Sequence, residues 1–259
     1  MNRWVGRVAL VTGASSGIGL VIAEKLVSQG MIVVGCGRNV SAIEKLKERC
    51  ITAKYKGQLY PYKCDITKEA EIDAMFQWVS TNLSGGVDVC VNNAGFSTNT
   101  SLLEIPVSEM RSMLDTNIVA LVQCSQLSIK SMIQRNVNDG HIININSTLG
   151  HHVLGIFNFY ASTKFAVTAL TQGFQKDMAS KGLRIKFSSI SPGRTETNFL
   201  HTALGSENAA RAYSTMENLQ PEDVADSVLH VLASPPHVQI KEVMIEPIQP
   251  TPPGGYSVK

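Results

Sequence analysis

Short apolar runs, rich in β-branched residues, alternate along the chain with longer segments whose apolar positions return every three to four residues. The short runs fall at 8–11, 32–36, 59–64, 87–91, 140–146, 184–189 and 243–245. Most are apolar throughout, which is the pattern of strands buried on both faces of a parallel sheet. The longer segments cover 18–29, 40–49, 69–82, 107–136, 159–181 and the stretch from Pro221 to about residue 232. Gly30 stops the first of them. Pro221 suits a first helical turn, and Glu222 and Asp223 favour the positive end of that helix. Strand–helix alternation of this kind predicts an α/β fold: one Rossmann-like, doubly wound parallel sheet of about seven strands with helices on both faces. Such sheets bind ligands beyond the carboxyl ends of their strands.

No repeat or linker divides the 259 residues, so a single domain over 1–259 is expected. Pro and Gly crowd only the end, predicting a surface tail at 246–259. With 44% hydrophobic and 17% charged residues the chain has the balance of a folded globular protein. A net charge of +2 supplies no field for nucleic acid or an anionic membrane. No apolar stretch reaches the ~20 residues of a membrane span, and the run at 8–11 is too short for a signal segment. The five cysteines, Cys36, Cys50, Cys64, Cys90 and Cys124, form no Cys-x-x-Cys pair. They read as reduced thiols of a cytoplasmic protein, with no metal site.

The first predicted strand runs into Thr12-Gly13-Ala14-Ser15-Ser16-Gly17-Ile18-Gly19. Gly13 permits a tight turn, Gly17 lets backbone amides approach a pyrophosphate, and Gly19 lets the helix lie close to the sheet. Gly13, Ser15, Ser16, Gly17, Ile18 and Gly19 are therefore the candidate dinucleotide cradle. An NAD-specific site places a carboxylate near the end of the second strand. Here the sequence is Gly35-Cys36-Gly37-Arg38-Asn39. Arg38, with Asn39 beside it, can pair a 2′-phosphate, so NADP(H) is the expected cofactor.

Tyr160 and Lys164 stand four residues apart at the start of a predicted helix and share one face. Ser147 closes the fifth predicted strand, at the edge where a ligand should lie. Carbonyl reduction needs a hydride on carbon and a proton on oxygen. A free tyrosine, with a pKa near ~10, holds that proton too tightly for neutral pH. A nearby ammonium group and a positively charged nicotinamide would favour the phenolate. Ser147 would hydrogen-bond the substrate oxygen as charge develops.

The chain resembles the short-chain dehydrogenase/reductase family over nearly its whole length. The matching motifs are Thr12-Gly-x-x-x-Gly17-Ile-Gly19, Asp65 after the third strand, Asn92-Asn93-Ala94-Gly95 after the fourth, Ser147, Tyr160-x-x-x-Lys164 and Ser191-Pro192-Gly193. The blocks 34–36, 140–147 and 166–171 are similar to a narrower group that includes insect farnesol dehydrogenases and a vertebrate dehydrogenase/reductase numbered member 11. The resemblance implies further roles. Asp65 and Ile66 would hold the adenine, and Asn93, Ala94 and Gly95 would flank the adenine ribose. Lys164 would bind the nicotinamide ribose. Asn117 would hold a water in a proton relay to Lys164. Pro192, Gly193, Thr195 and Thr197 would position the carboxamide, although the family often has an aliphatic residue in place of Thr195.

Two segments are expected to line a substrate pocket. The first supplies Leu149, Val153, Leu154, Ile156 and Phe157. The second, a lid over 195–219, supplies Phe199, Leu200, Leu204 and Met216. Leu149, Val153, Leu154 and Phe199, with Ser147 and Tyr160, are the candidate substrate contacts. This apolar lining predicts a small lipophilic alcohol or carbonyl substrate, such as a farnesol-like prenol or a steroid. A polar-substrate reductase on the same fold, or a sensor that binds NADP(H) without turnover, are the competing expectations. His151 and His152 read as rim or solvated histidines. Some apolar positions of the segments 107–136 and 159–181 must face the sheet, and the resemblance implies that others pair across a twofold axis, giving a homodimer or homotetramer.

Overall fold

The seven strands pair into one sheet in the order β3-β2-β1-β4-β5-β6-β7, every neighbour parallel. They are β1 (Val8–Thr12), β2 (Ile32–Gly37), β3 (Gln58–Lys63), β4 (Val89–Asn92), β5 (His141–Ile145), β6 (Lys186–Pro192) and β7 (Glu242–Ile245). The helices between them are α1 (Gly17–Ser28), α2 (Val40–Thr52), α3 (Glu69–Asn82), α4 (Val107–Leu114), α5 (Ala120–Gln134), α6 (Asn158–Ser180), α7 (Asn198–Leu204), α8 (Ser206–Ser214) and α9 (Pro221–Ala233). This computed structural model describes residues 1–83, 85–215 and 217–248. Met216 and the tail beyond residue 248 lie outside the described residues. Among the described residues no helix is long and apolar enough to cross a membrane.

Strand alternation divides the interior into two layers. Ala9, Val11, Val33, Val91, Ile143 and Ile190 face α1, α2 and α9. Val8, Leu10, Val34, Cys90, Ile142 and Phe187 face α3, α5 and α6. Both faces of β1 are therefore buried, as its uninterrupted apolar run predicts. A third, smaller cluster lies beyond the carboxyl edge. It joins Ile105 and Met113 to Leu149, Phe157, Tyr160 and Leu200.

The amino-terminal edge of the sheet is fastened by charge. Asp88 accepts from the Val8 amide at 3.0 Å and from Arg135 Nη1 at 3.0 Å, and Arg7 Nη1 reaches both Asp139 oxygens at 2.9 and 2.8 Å. The guanidinium groups of Arg3 and Arg7 stack on the buried Trp4 ring at 4.4 and 4.7 Å.

Three parts of the chain differ from the sequence pattern. Segment 107–136 is not one regular helix. A π-helical turn, Asp115–Val119, separates α4 from α5, with the Ala120 amide bonded to the Asp115 carbonyl. The Asn117 amide explains it by bonding sideways to Phe96 and Thr163. The strand expected at 184–189 runs from Lys186 to Pro192 instead. The Arg184 amide is tied to Asn138 Oδ1 at 2.7 Å, and pairing with β7 carries the strand further along. Helices α7 and α8, within the expected lid, go unpredicted because each is short and Gly205 separates them.

His141, at the start of β5, is fully buried and its Nε2 lies 2.8 Å from Ser188 Oγ. Burial, with the nearby Lys186 and Arg3 charges, pushes its pKa down from 6.5 to about 3. The unfolded chain therefore binds a proton here that the folded chain refuses. The stabilisation is full above pH 6.5 and drains away as pH falls towards 3. Unfolding free energy of the wild type should fall through that window more steeply than that of His141→Gln, by up to about 1.4 kcal/mol per pH unit. Denaturant titrations at a series of pH values test this, and identical slopes would contradict it.

Candidate active site

The chain leaves β1 for one side of the sheet and β3 for the other, so the carboxyl ends of β1 and β4 diverge. A crevice opens there, as the topology requires. It widens into a cavity of about 760 Å³ running from the first glycine loop to the third hydrophobic cluster.

At one end the glycine loop is pressed against the end of β4. Asn93 donates from Nδ2 to the carbonyls of Thr12 and Gly13 at 2.9 and 3.3 Å, and the Asn93 and Ala94 amides donate to Thr12 Oγ1. Gly13 has φ +67°, and a Cβ there would meet Ala94 Cα at 2.9 Å. A Cβ on Gly19 would lie 2.3 Å from Asn93 Nδ2 and 2.4 Å from the Gly13 carbonyl. Gly17, at φ +54°, lies close to Thr197, whose Cγ2 a Cβ there would meet at 3.2 Å. These glycines leave a trough of backbone next to the start of α1, the form of an anion cradle. Arg38 and Asp65 border the same end. The Asp65 carboxyl is held below its usual range, chiefly by the Thr67 hydroxyl at 2.8 Å, with Arg38 adding to the effect.

Midway, Ser147, Tyr160 and Lys164 meet on the cavity wall. Ser147 is extended and caps the short turn Thr148–Gly150, accepting from the Leu149 amide at 3.1 Å. Tyr160 lies in the first turn of α6. Before it, buried Phe157 adopts φ +55°, a left-handed conformation that packing in the third cluster holds in place. Burial pushes the Tyr160 phenol well above its ordinary pKa, and its hydrogen bond with Ser147 opposes that shift. Lys164 Nζ donates to the Ile145 carbonyl at 2.8 Å and lies 5.5 Å from the Tyr160 ring centre. Burial draws its pKa down to about 8. Desolvation thus outweighs any help that the lysine gives the phenolate.

Beyond Tyr160 the cavity is walled by Phe96, Leu149, Leu154, Phe157, Phe199 and Leu200. The Phe199 and Tyr160 rings meet at 5.3 Å. Tyr213, on α8, braces this wall from behind: the Thr197 amide donates to its hydroxyl at 3.2 Å, and the hydroxyl lies 2.8 Å from the Thr197 carbonyl.

Most of the expected site residues line the cavity: Gly13, Ser15, Ser16, Gly17, Ile18, Arg38, Asp65, Ile66, Asn93, Ala94, Gly95, Ser147, Leu149, Leu154, Tyr160, Lys164, Pro192, Gly193, Thr195, Thr197 and Phe199. Six expected residues stand off it. Gly19 and Asn117 support the wall from behind, and Asn39 precedes α2. Ile156 and Leu204 belong to the packing of the third cluster. Val153 corrects an expectation, for it is 60% exposed and outside the cavity, turned out by the loop that carries it. Phe96, Thr67 and Thr116 line the cavity without having been singled out in the sequence, and His152, read there as a rim or solvated histidine, also lies on its wall. Phe96 directly follows the Asn92–Gly95 motif, a signal that could have found it.

Residues 7–208 match the short chain dehydrogenase family. The chain belongs to that family, a family of oxidoreductases. It is 47% identical to dehydrogenase/reductase SDR family member 11 of Gallus gallus, covering 96% of this chain and 99% of the relative. It is 44% identical to farnesol dehydrogenase of Aedes aegypti, covering 96% and 98%. Among solved structures, the closed form of a serine dehydrogenase complexed with NADP+ superposes with a TM-score of 0.82 at 29% identity, over 92% of this chain and 94% of that one.

The glycine trough carries a stability test that needs no ligand. Gly19→Ala should cost about 1–3 kcal/mol, because the intruding methyl meets the Gly13 backbone as well as a side chain. Denaturant unfolding measures it. An unchanged midpoint would show that the loop and β4 are not in the contact described.

Proposed function

We propose that this protein is an NADP(H)-dependent oxidoreductase that interconverts a lipophilic alcohol and its aldehyde or ketone, with Tyr160 as proton donor and acceptor. The observation that carries the proposal is the meeting of buried Tyr160, Ser147 and Lys164 on the wall of one cavity, between a glycine trough and an apolar end. The trough fits a dinucleotide, since the loop packs so closely on Asn93 and Ala94 that only glycine is accommodated at 13 and 19, which leaves backbone facing the cavity beside the start of α1. The phosphorylated form is favoured because Arg38, and no carboxylate, directly follows β2. Solved relatives that bind NADP+ support the same choice.

When bound, the nicotinamide supplies or accepts the hydride. Ser147 orients the substrate oxygen, and Tyr160 gives it a proton during reduction or takes one during oxidation. Lys164 holds the nicotinamide ribose and replenishes the tyrosine proton. Asp65 and Ile66 hold the adenine, Asn93 to Gly95 flank its ribose, and Pro192, Gly193, Thr195 and Thr197 position the carboxamide. The Asn117 side chain is already committed to Phe96 and Thr163. Its part in a proton relay therefore falls to the main-chain carbonyl, held in place by the π-helical turn.

The substrate end draws its lining from the third hydrophobic cluster. A farnesol-like prenol, a steroid or another apolar carbonyl suits it. The name of the Aedes aegypti relative points the same way. Residues 195–219 act as the lid over this end, closed at its base by the pairing of Thr195 with Leu219. A homodimer or homotetramer is proposed through the face of α4, α5 and α6, where Leu114, Ile133 and Phe165 are exposed.

Tyr160→Phe should lower kcat by about 10²-fold or more and leave NADPH affinity within about twofold. Equal turnover would defeat the proton role. Arg38→Asp combined with Gly37→Ser should raise the KM for NADPH by about tenfold or more. An unchanged NADPH/NADH ratio would defeat the cofactor choice. In a panel of substrates run in both directions, a preference for small sugars over farnesol and steroids would defeat the lipophilic class.

A further inference from the structure

His151 lies in the segment between Ser147 and α6, but it does not face the cavity. Its imidazole turns towards β6 and β7. Nε2 is 3.1 Å from Ser191 Oγ and 3.6 Å from Glu242 Oε1. Ser191 Oγ donates to that carboxylate oxygen at 2.5 Å, and Ser189 Oγ donates to it at 3.0 Å. Both serines are fully buried, while the His151 and Glu242 side chains keep 25% and 32% of their exposure.

Counting hydrogens fixes the direction of these bonds. An ionised carboxylate only accepts, so both serines give it their hydroxyl hydrogens. Ser191 then has only lone pairs left for His151, and the imidazole must carry its proton on Nε2. A serine, a histidine and a carboxylate thus stand in a row, but the order of donation is the reverse of a nucleophilic triad. There the serine proton goes to the histidine. Here it goes to the carboxylate, and the serine is buried. The arrangement ties chain segments together.

The segment it ties is the one that shapes the apolar end of the cavity. Leu149, His152, Leu154 and Phe157 reach the cavity from residues 148–157. Gly150 is held to α6, its carbonyl accepting from Thr168 Oγ1 at 3.1 Å. Gly155 has φ +81° with open space where a side chain would be, and the Asn158 amide bonds only locally to its carbonyl. Between these points His151 supplies the tie to the sheet.

We propose that His151 is a positioning residue for substrate. Its tether to Ser191 and Glu242 sets how far the 148–157 segment stands from Tyr160, and so sets affinity for the apolar part of the substrate. It takes no part in the hydride or proton step. This rests on the proposed function for its substrate half, whereas the tether stands on geometry alone.

Two variants test it. His151→Phe removes the donor, and His151→Gln keeps an N–H near the same place. In cofactor-free protein, amide hydrogen exchange over 148–157 should quicken about fivefold in His151→Phe, the factor that one net hydrogen bond is worth, and stay near wild type in His151→Gln. With farnesol as substrate, His151→Phe should raise KM by about fivefold, with kcat and NADP+ affinity within about twofold, and His151→Gln should restore KM. Unchanged exchange in His151→Phe overturns the tether. Faster exchange with the loss falling on kcat or on NADP+ affinity overturns the positioning role. A wild type that turns over no lipophilic alcohol overturns the proposed function instead, and the exchange result then still reads the tether.

Discussion

The close approach of the first glycine loop to the end of β4 is the constraint on which the site depends. Asn93 bonds to the Thr12 and Gly13 carbonyls, and neither Gly13 nor Gly19 has room for a side chain. That contact spans the two strands at which the sheet changes direction. It makes the floor of the crevice out of backbone, so amide groups at the start of α1 face the cavity without a side chain between. It also gives Asn93 a structural task. Its side chain is spent on the loop, and what it offers a ligand is its position in the wall.

Burial governs the rest of the site. Tyr160 and Lys164 are both in the interior, and each is pushed towards its neutral form. The Ser147 hydrogen bond opposes the shift of the phenol. Under the proposed function, the positive charge of an oxidised nicotinamide is the further influence that favours phenolate, and it arrives only with the cofactor. Buried amides hold this geometry from behind. Asn92 bonds to Ser125 and Asn144, and Asn144 bonds to Thr171, so α5 and α6 are pinned to the sheet through matched donors and acceptors. Asn117 completes the support by joining the π-helical turn to Phe96 and to Thr163, next to Lys164.

The strands and most helices are legible in the sequence because hydrophobic periodicity is the physical cause of both. A run buried on two faces has to be apolar throughout, and β1 is so from Val8 to Val11. The dinucleotide half of the site is legible for a related reason, since glycine is required where Cβ atoms would collide. The substrate half is less so. Leu149 and Val153 are both apolar residues of one loop, yet Leu149 enters the cavity and Val153 points to solvent. No period governs side-chain direction in irregular backbone. The same limit hides Tyr213, which braces the wall from α8, and the direction of His151, which belongs to the cavity-lining loop but turns to partners on β6 and β7. The π-helical turn is hidden because Asn117 signals only a weak helix former, and its partners at Phe96 and Thr163 lie far off in sequence.

Label transfer tests the central claim most directly. NADPH carrying deuterium at the transferable C4 position would be mixed with the protein and a lipophilic aldehyde in ordinary water. The proposed function requires one deuterium on the carbinol carbon of each alcohol formed, with the hydroxyl proton drawn from solvent through Tyr160. Alcohol formed without deuterium on that carbon, or no alcohol at all across a range of lipophilic aldehydes and ketones, would contradict it.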